Sequence, residues 1–474
     1  MPLHGALERA AARFGDRVAV RAGEHAYSWH DLIASRDAFA SSLAARGVGA
    51  GDRVALQLTN RVEFVSAVNA ISALGAAAVL ISPAWKQREV DHALALTAPR
   101  LLITDDFVSQ VEGASHGSEN DDAIFVFSSG TTGMPKAVRH THASLAAGTA
   151  HWVAALGLTA DDRFQVATPP SHILGLLNLL AAAEAGATVR LHARFDLDEV
   201  LRCIEADRIT LEMAVAPIAL AMADHPDIER YDLSSLRYIM WGATPVTESV
   251  ARRVTERTGV RFLTAYGASE FPVLSCNPVD HPEQWRLDSA GLPPAGVELR
   301  AVSLDTGAPV PAGETGEIQA RGPSVMAGYL PDHANAEAFD ADGWYRTGDV
   351  GWLEPDGWVH LTDRSKEMIK VNGFQVAPAE IEAVLHGHPG VRDCAVFGLA
   401  DARCGEVPVA AVTLDDAATV TERELTELVA DSLATYKHVR HVVVVDAIPR
   451  LPSGKVLRRT LRDEWTPKLQ QQES

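Results

Sequence analysis

Ser128-Ser129-Gly130-Thr131-Thr132-Gly133-Met134-Pro135-Lys136 follows the apolar run Ala123–Phe127. Two glycines let the backbone turn so that successive N–H groups point at one anion. Four hydroxyls and one ammonium add donors, a set suited to the β- and γ-phosphates of a nucleotide. The spacing G-x-x-x-x-G-K-[ST] is absent, so this is not a Walker A loop. Taken alone, the segment reads equally well as an exposed Ser/Thr/Gly turn.

Around it, short apolar runs alternate with helical spacing. Val54–Leu58, Ala77–Ile81, Leu101–Thr104 and Ile124–Phe127 read as strands. Ala187–Leu191 reads as a strand, Leu197–Ala206 as a helix opened by Asp196 and Glu199, and Thr210–Val215 as the next strand. Leu197, Val200, Leu201 and Ile204 share one helix face. Such units predict α/β layers. Ser109–Asp122 is polar and is expected to be an exposed loop. After Asp340 the pattern changes to the turn-rich β segments Trp344–Gly351 and Gly357–Thr362. A smaller α+β unit follows. It has helices at Ala379–Leu385 and Thr421–Leu433, the latter with a Thr421/Glu424 capping box. Its strands are Cys394–Gly398, Val409–Leu414 and His441–Val445. The boundary falls near Asp363–Lys366, giving a large N-terminal multi-layer α/β domain over 1–363 and a small C-terminal α+β domain over 367–474.

The chain has 474 residues, a formal net charge of −20 and 47% hydrophobic residues. That charge argues against nucleic acid or an anionic membrane as partner, since both need a basic face. No two of the four cysteines form a C-x-x-C pair, so no disulfide framework or zinc site is expected. No signal peptide or membrane-length apolar run is read, and a soluble cytoplasmic protein is expected.

SSGTTGMPK resembles the signature loop of the adenylate-forming superfamily, which includes acyl- and aryl-CoA synthetases, peptide-synthetase adenylation domains and beetle luciferases. Further motifs follow in family order: GATPV (Gly242–Val246), YGASE (Tyr266–Glu270), GEIQARGPSVMAGYL (Gly316–Leu330), WYRTGDVG (Trp344–Gly351), DRSKEMIKVNGFQVAPAEIE (Asp363–Glu382) and PSGKVLRR (Pro452–Arg459). The resemblance spans nearly the whole chain, and the Asp363–Glu382 segment looks most like coumarate–CoA ligases and luciferases.

The resemblance implies ATP, Mg²⁺ and coenzyme A. Ser128 through Gly133 (Ser129, Gly130, Thr131 and Thr132 between) and Lys136 would hold the departing pyrophosphate. Tyr266 would stack on adenine, with Gly242, Ala243 and Thr244 lining the other side and Gly267 beside it. Ser269, where the family usually has Thr, would touch the α-phosphate. Glu270 would ligate Mg²⁺, and a hard carboxylate oxygen suits it. Asp349 would accept the ribose hydroxyls, and Arg364 would reach ribose or phosphate. Lys455 would hold the substrate carboxylate and the α-phosphate together, offsetting charge as one anion attacks another. The small domain would be mobile, rotating about a hinge at 364–366 with Lys366 its hinge residue. That motion would withdraw Lys455 and bring Lys370 and Gly373 to the thiol.

The acid pocket is expected near His172, Met240, Trp241, Ala265 and Gly267. His172 is balanced between substrate contact and a packed core histidine, while Trp241 would narrow the pocket or offer a stacking face. Amino-acid-activating relatives use an aspartate near His172 for the substrate ammonium. Thr168–Asn178 contains no acid, which disfavours amino acids. A long acyl chain stays open, but the likeness of Asp363–Glu382 to coumarate–CoA ligases favours an aromatic or short acid. The alternatives to coenzyme A are a carrier protein, an amine, or nitrite activated for aryl-amine diazotisation in secondary metabolism. A catalytically silent ATP- or AMP-binding regulator is the alternative of another class. His140 and His142 have no companion ligands for a metal, Gly47, Gly49 and Gly51 mark a turn, and His386 and His388 are expected to be solvated.

Overall fold

The computed structural model describes residues 2–106, 108–110, 121–128, 134–242, 248–364, 366–372, 374–401, 403–415, 420–450 and 454–472. The apolar runs form two sheets, the first mostly parallel and the second with a parallel centre flanked by antiparallel strands. One has eight strands, with Phe262–Tyr266, Tyr238–Trp241, Leu211–Ala214, Arg163–Val166 and Thr188–Leu191 adjacent in that order. The other has seven, with Lys136–Thr141, Asp122–Ser128, Ala77–Leu80, Arg53–Gln57 and Leu101–Thr104 adjacent. Strands covered on both faces read as continuous apolar runs, and Val54, Ala55 and Leu56 are indeed fully buried. The helix Leu197–Asp207 begins where Asp196 accepts from Glu199 N at 2.9 Å, and Val200, Leu201 and Ile204 face the core.

A four-stranded antiparallel sheet follows, with Glu298–Val302, Gly316–Arg321, Tyr345–Leu353 and Val359–Arg364 in order. The last sheet combines Ile369–Val371, Phe374–Val376, Gly405–Leu414 and Val391–Asp401, with His441–Val444 parallel to Gly405–Leu414. The apolar core clusters of the described residues fall on two sides. Three draw on residues up to Tyr345 and two on residues from Ile369 onward. The architecture is a large N-terminal and a small C-terminal unit of mixed α/β structure.

Three local expectations need correction. The stretch 109–122 is not simply a loop. Val108–Gln110 is an edge strand on Leu101–Thr104, and Asp122 is buried, opening its strand 3.3 Å from Arg139. Residues 111–120 lie outside the described residues. His386 and His388 are not solvated: His386 Nε2 faces Asp393 at 3.4 Å and His388 Nε2 faces Glu424 at 3.3 Å. That second pair also explains the third correction. Thr421 caps its helix by accepting from Glu424 N at 3.2 Å, while the Glu424 carboxylate meets His388.

Candidate active site

Two side-chain groups converge where the sheets and the small unit meet. The first is built on Lys136–Thr141, which pairs antiparallel with Gly328–Leu330 and sets Tyr329 opposite Val138. Tyr329 Oη donates to Glu270 Oε1 at 2.7 Å, and the Lys136 ammonium lies 5.1 Å from the Tyr329 ring centroid. The Glu270 carbonyl is held by Met326 N at 2.8 Å. Fully buried His140 donates from Nε2 to Ser269 O at 2.8 Å and meets Ser144 Oγ at 3.1 Å through Nδ1. Burial pushes its imidazole down to about 4, so it is a neutral clamp on the Ser269–Glu270 backbone.

The second group centres on Asp349, placed across from Arg364 by the Tyr345–Leu353 and Val359–Arg364 ladder. Tyr266 Oη donates to Asp349 Oδ2 at 2.5 Å, and Arg364 Nε meets Oδ1 at 2.9 Å. A carboxylate accepts up to about four hydrogen bonds, so Asp349 retains acceptor capacity. Gly267 is required by close approach: a Cβ there would lie 2.0 Å from Pro272 O. Lys455 faces this group from the small unit. Burial, then Arg364, lowers its ammonium to about 8, while Glu367 and Asp349 oppose the shift. Gly454, at φ +84°, presses against the large unit, since a Cβ there would stand 2.8 Å from Pro217 Cδ.

The remaining expected residues divide. Ser128, Ser269 and Ala265 are half-buried and Gly242 is buried. His172 caps the helix Ile173–Ala185, its Nδ1 accepting from Leu174 N at 3.3 Å. Burial pushes it down to about 4, so the ring is neutral with its N–H on Nε2. Lys366 is exposed in a turn, and Lys370 is exposed with its backbone N–H donating to Glu406 at 2.8 Å. Ser129, Gly130, Thr131, Thr132, Gly133, Ala243, Thr244 and Gly373 lie outside the described residues.

Trp241 corrects the sequence reading. Neighbours on a strand face opposite ways. Met240 joins the large core, whereas Trp241 is 1% exposed in the second cluster, edge-on to Phe262 at 5.5 Å. It neither narrows an open pocket nor offers a face to substrate. Trp241→Phe should therefore cost about 1–2 kcal/mol in denaturant unfolding, an ordinary core loss. The ranking of acids turned over should not change; a changed ranking would return Trp241 to the pocket.

Tyr329 and His140 were missed as site residues. Tyr329 lies in the quoted AGYL segment, whose Gly-Tyr pair was the available signal. The Glu270 end fits a magnesium ion. One oxygen takes Tyr329 and the other is left to the cation, which usually draws further ligands from substrate phosphates. Among the described residues, no group of three or more His, Cys, Asp or Glu forms an all-protein metal cage.

Residues 7–119 and 110–330 match the AMP-binding enzyme family, and residues 380–455 match the AMP-binding enzyme C-terminal domain. The chain is 33% identical over 513 residues to 4-coumarate:CoA ligase 1 of Petunia hybrida, covering 98% of this chain and 94% of that one. It superposes on o-succinylbenzoate CoA synthetase of Bacillus subtilis, solved with its acyl-adenylate intermediate, with a TM-score of 0.85 and 30% identity over 98% of each chain. The amide bond synthetase McbA of Marinactinospora thermotolerans gives a TM-score of 0.88 and 29% identity over 98% of this chain and 100% of that one. By class the protein is an ATP-dependent acid-activating enzyme, an acid–thiol ligase. The chain belongs to the AMP-binding, adenylate-forming enzyme family. Among its described residues, no helix is long and apolar enough to cross a membrane.

Proposed function

We propose that this enzyme adenylates an aromatic or short carboxylic acid and passes the acyl group to coenzyme A. The observation that carries the reading is Lys455, brought by the small unit close enough to Arg364 and Asp349 for their charges to act on its ammonium while Gly454 lies against Pro217. In this reading, Lys455 binds the acid's carboxylate and the α-phosphate and offsets their mutual repulsion. Asp349 and Arg364 hold the ribose, and Tyr266 orients both adenine and Asp349. Lys136 and Ser128 face the pyrophosphate. Ser269 holds the α-phosphate, its backbone fixed by His140. Glu270, oriented by Tyr329, would hold Mg²⁺, which supplies neutralising charge to the phosphates when bound. The neutral His172 N–H lies at the mouth of a helix beside the acid. Residues 1–363 and 367–474 act as two bodies that turn about 364–366, with Lys366 at the pivot.

An aromatic acid is favoured by the likeness to coumarate and o-succinylbenzoate ligases, and the lack of any acidic residue in Thr168–Asn178 disfavours an amino acid. The four cysteines are free, which suits a reducing cytoplasm. The test is a panel of aryl, short-chain and long-chain acids with ATP and Mg²⁺, offered coenzyme A or amines and read by mass. The expected outcome is AMP, pyrophosphate and an aryl or short acyl thioester. Amides formed in preference to thioesters would overturn the acceptor. Absence of pyrophosphate exchange with every acid would overturn the reading as a whole.

A further inference from the structure

Lys455 needs a rigid mount, and its neighbours supply one that none of the motif roles includes. Leu457 N donates to Pro449 O at 2.8 Å, and Arg450 and Val456 form an antiparallel bridge around the lysine. The Arg450 side chain adds a further hold. Its Nη1 donates to Gly454 O at 2.9 Å, the carbonyl of the peptide that leads into Lys455.

The same guanidinium is fixed from behind. Arg450 Nη2 donates to Asp393 Oδ1 at 2.8 Å and to Oδ2 at 3.0 Å, and Nε reaches Oδ2 at 3.3 Å. A planar fork on a carboxylate has one orientation, unlike a single-point ammonium contact. Asp393 is itself oriented. Cys394 N donates to its Oδ1 at 2.8 Å, and His386 Nε2 stands 3.4 Å away. His386 Nδ1 is tied to Glu382 O at 2.8 Å, on the helix Pro378–His386. On the far side of Lys455, Arg458 donates to Glu382 Oε1 at 2.7 Å and to Val396 O at 2.9 Å. The lysine is thus bracketed by two arginines, Arg450 bound to the strand Val391–Asp401 and Arg458 bound to that strand and to the helix Pro378–His386.

We propose that Arg450, anchored on Asp393, is a positioning residue for adenylation: it fixes the Gly454 carbonyl so that the Lys455 ammonium reaches the Asp349–Arg364 face of the large unit. This rests on the role given above to Lys455. A mere staple of the small unit would weaken every step alike. A positioning residue acts only in the step that uses the lysine.

Arg450→Met should lower pyrophosphate exchange about 10- to 100-fold, the scale of a misplacement near 1 Å. Thioester formation from a supplied acyl-adenylate should stay near the wild-type rate. On a Lys455→Ala background the same change should cause no further loss of exchange, because both substitutions remove one action. Asp393→Asn, which removes the ionic fork and leaves an acceptor, should give a smaller loss with the same split. Should Arg450→Met fail to fold, Arg450→Lys carries the same comparison. It keeps the charge but lacks the planar fork that holds Asp393 and the Gly454 carbonyl together, and it should show a partial loss confined to adenylation. Equal losses in both half-reactions, wild-type exchange, or a fully additive double variant would overturn the inference. Exchange that survives Lys455→Ala would overturn the role of Lys455 itself, and with it this one.

Discussion

Lys455→Ala is expected to lower pyrophosphate exchange by at least about 10²–10³, the cost of deleting one preorganised donor. Thioester formation from a supplied acyl-adenylate should be nearly unchanged. The reason is charge. In the first step a carboxylate approaches an α-phosphate, and two anions must be brought together before any bond forms. In the proposed function the Lys455 ammonium is the cation that sits between them. It is partly buried, so its field is screened less than that of a surface lysine. In the second step a neutral mixed anhydride centre meets a thiol, and no such pairing of anions remains. Equal losses in the two half-reactions would show that Lys455 supports the fold, or that the small domain keeps one orientation throughout.

Much of this arrangement was readable from the sequence because its signals are local. Continuous apolar runs such as Val54–Leu58 identify strands that both faces bury, and Asp196 with Glu199 marks a helix start within three residues. Asp349, Glu270 and Lys455 stand in short motifs whose chemistry is specified by residue type. What escaped depends on contacts between distant parts of the chain. His140 meets Ser269 across 129 residues, and Arg450 meets Asp393 across 57. No periodicity encodes such a pair. Trp241 was misplaced for a different reason. It adjoins Gly242 in sequence, but strand alternation sends it to the opposite face of the sheet. The edge strand Val108–Gln110 looked like a loop because it belongs to a polar stretch at the sheet's margin, where the alternation of a buried face is weakest.

Asp349→Asn should lower adenylation on the order of 10²-fold, on the scale of losing a preorganised site group. It should also move the pH dependence of the residual activity in a set direction. Lys455 titrates near 8 in the free enzyme. It is charged below that pH and neutral above it, so kcat/KM for adenylation should fall as pH rises through about 8. Three influences lower that value, burial, the neighbouring Arg364 and Arg458, and two raise it, Glu367 and Asp349. Removing the Asp349 charge leaves Arg364 beside Lys455 without its counter-ion, so the ammonium becomes harder to keep and the limb should move to lower pH. Arg364→Met removes a repelling cation and should move the limb to higher pH, although it also weakens adenylation. Opposite shifts from neighbouring residues are hard to obtain from general damage, which would lower the rates without reversing sign. A limb that stays in place in both variants, or moves the same way, would mean that the titrating group is not Lys455 or that it does not lie against the Asp349–Arg364 pair when adenylation occurs.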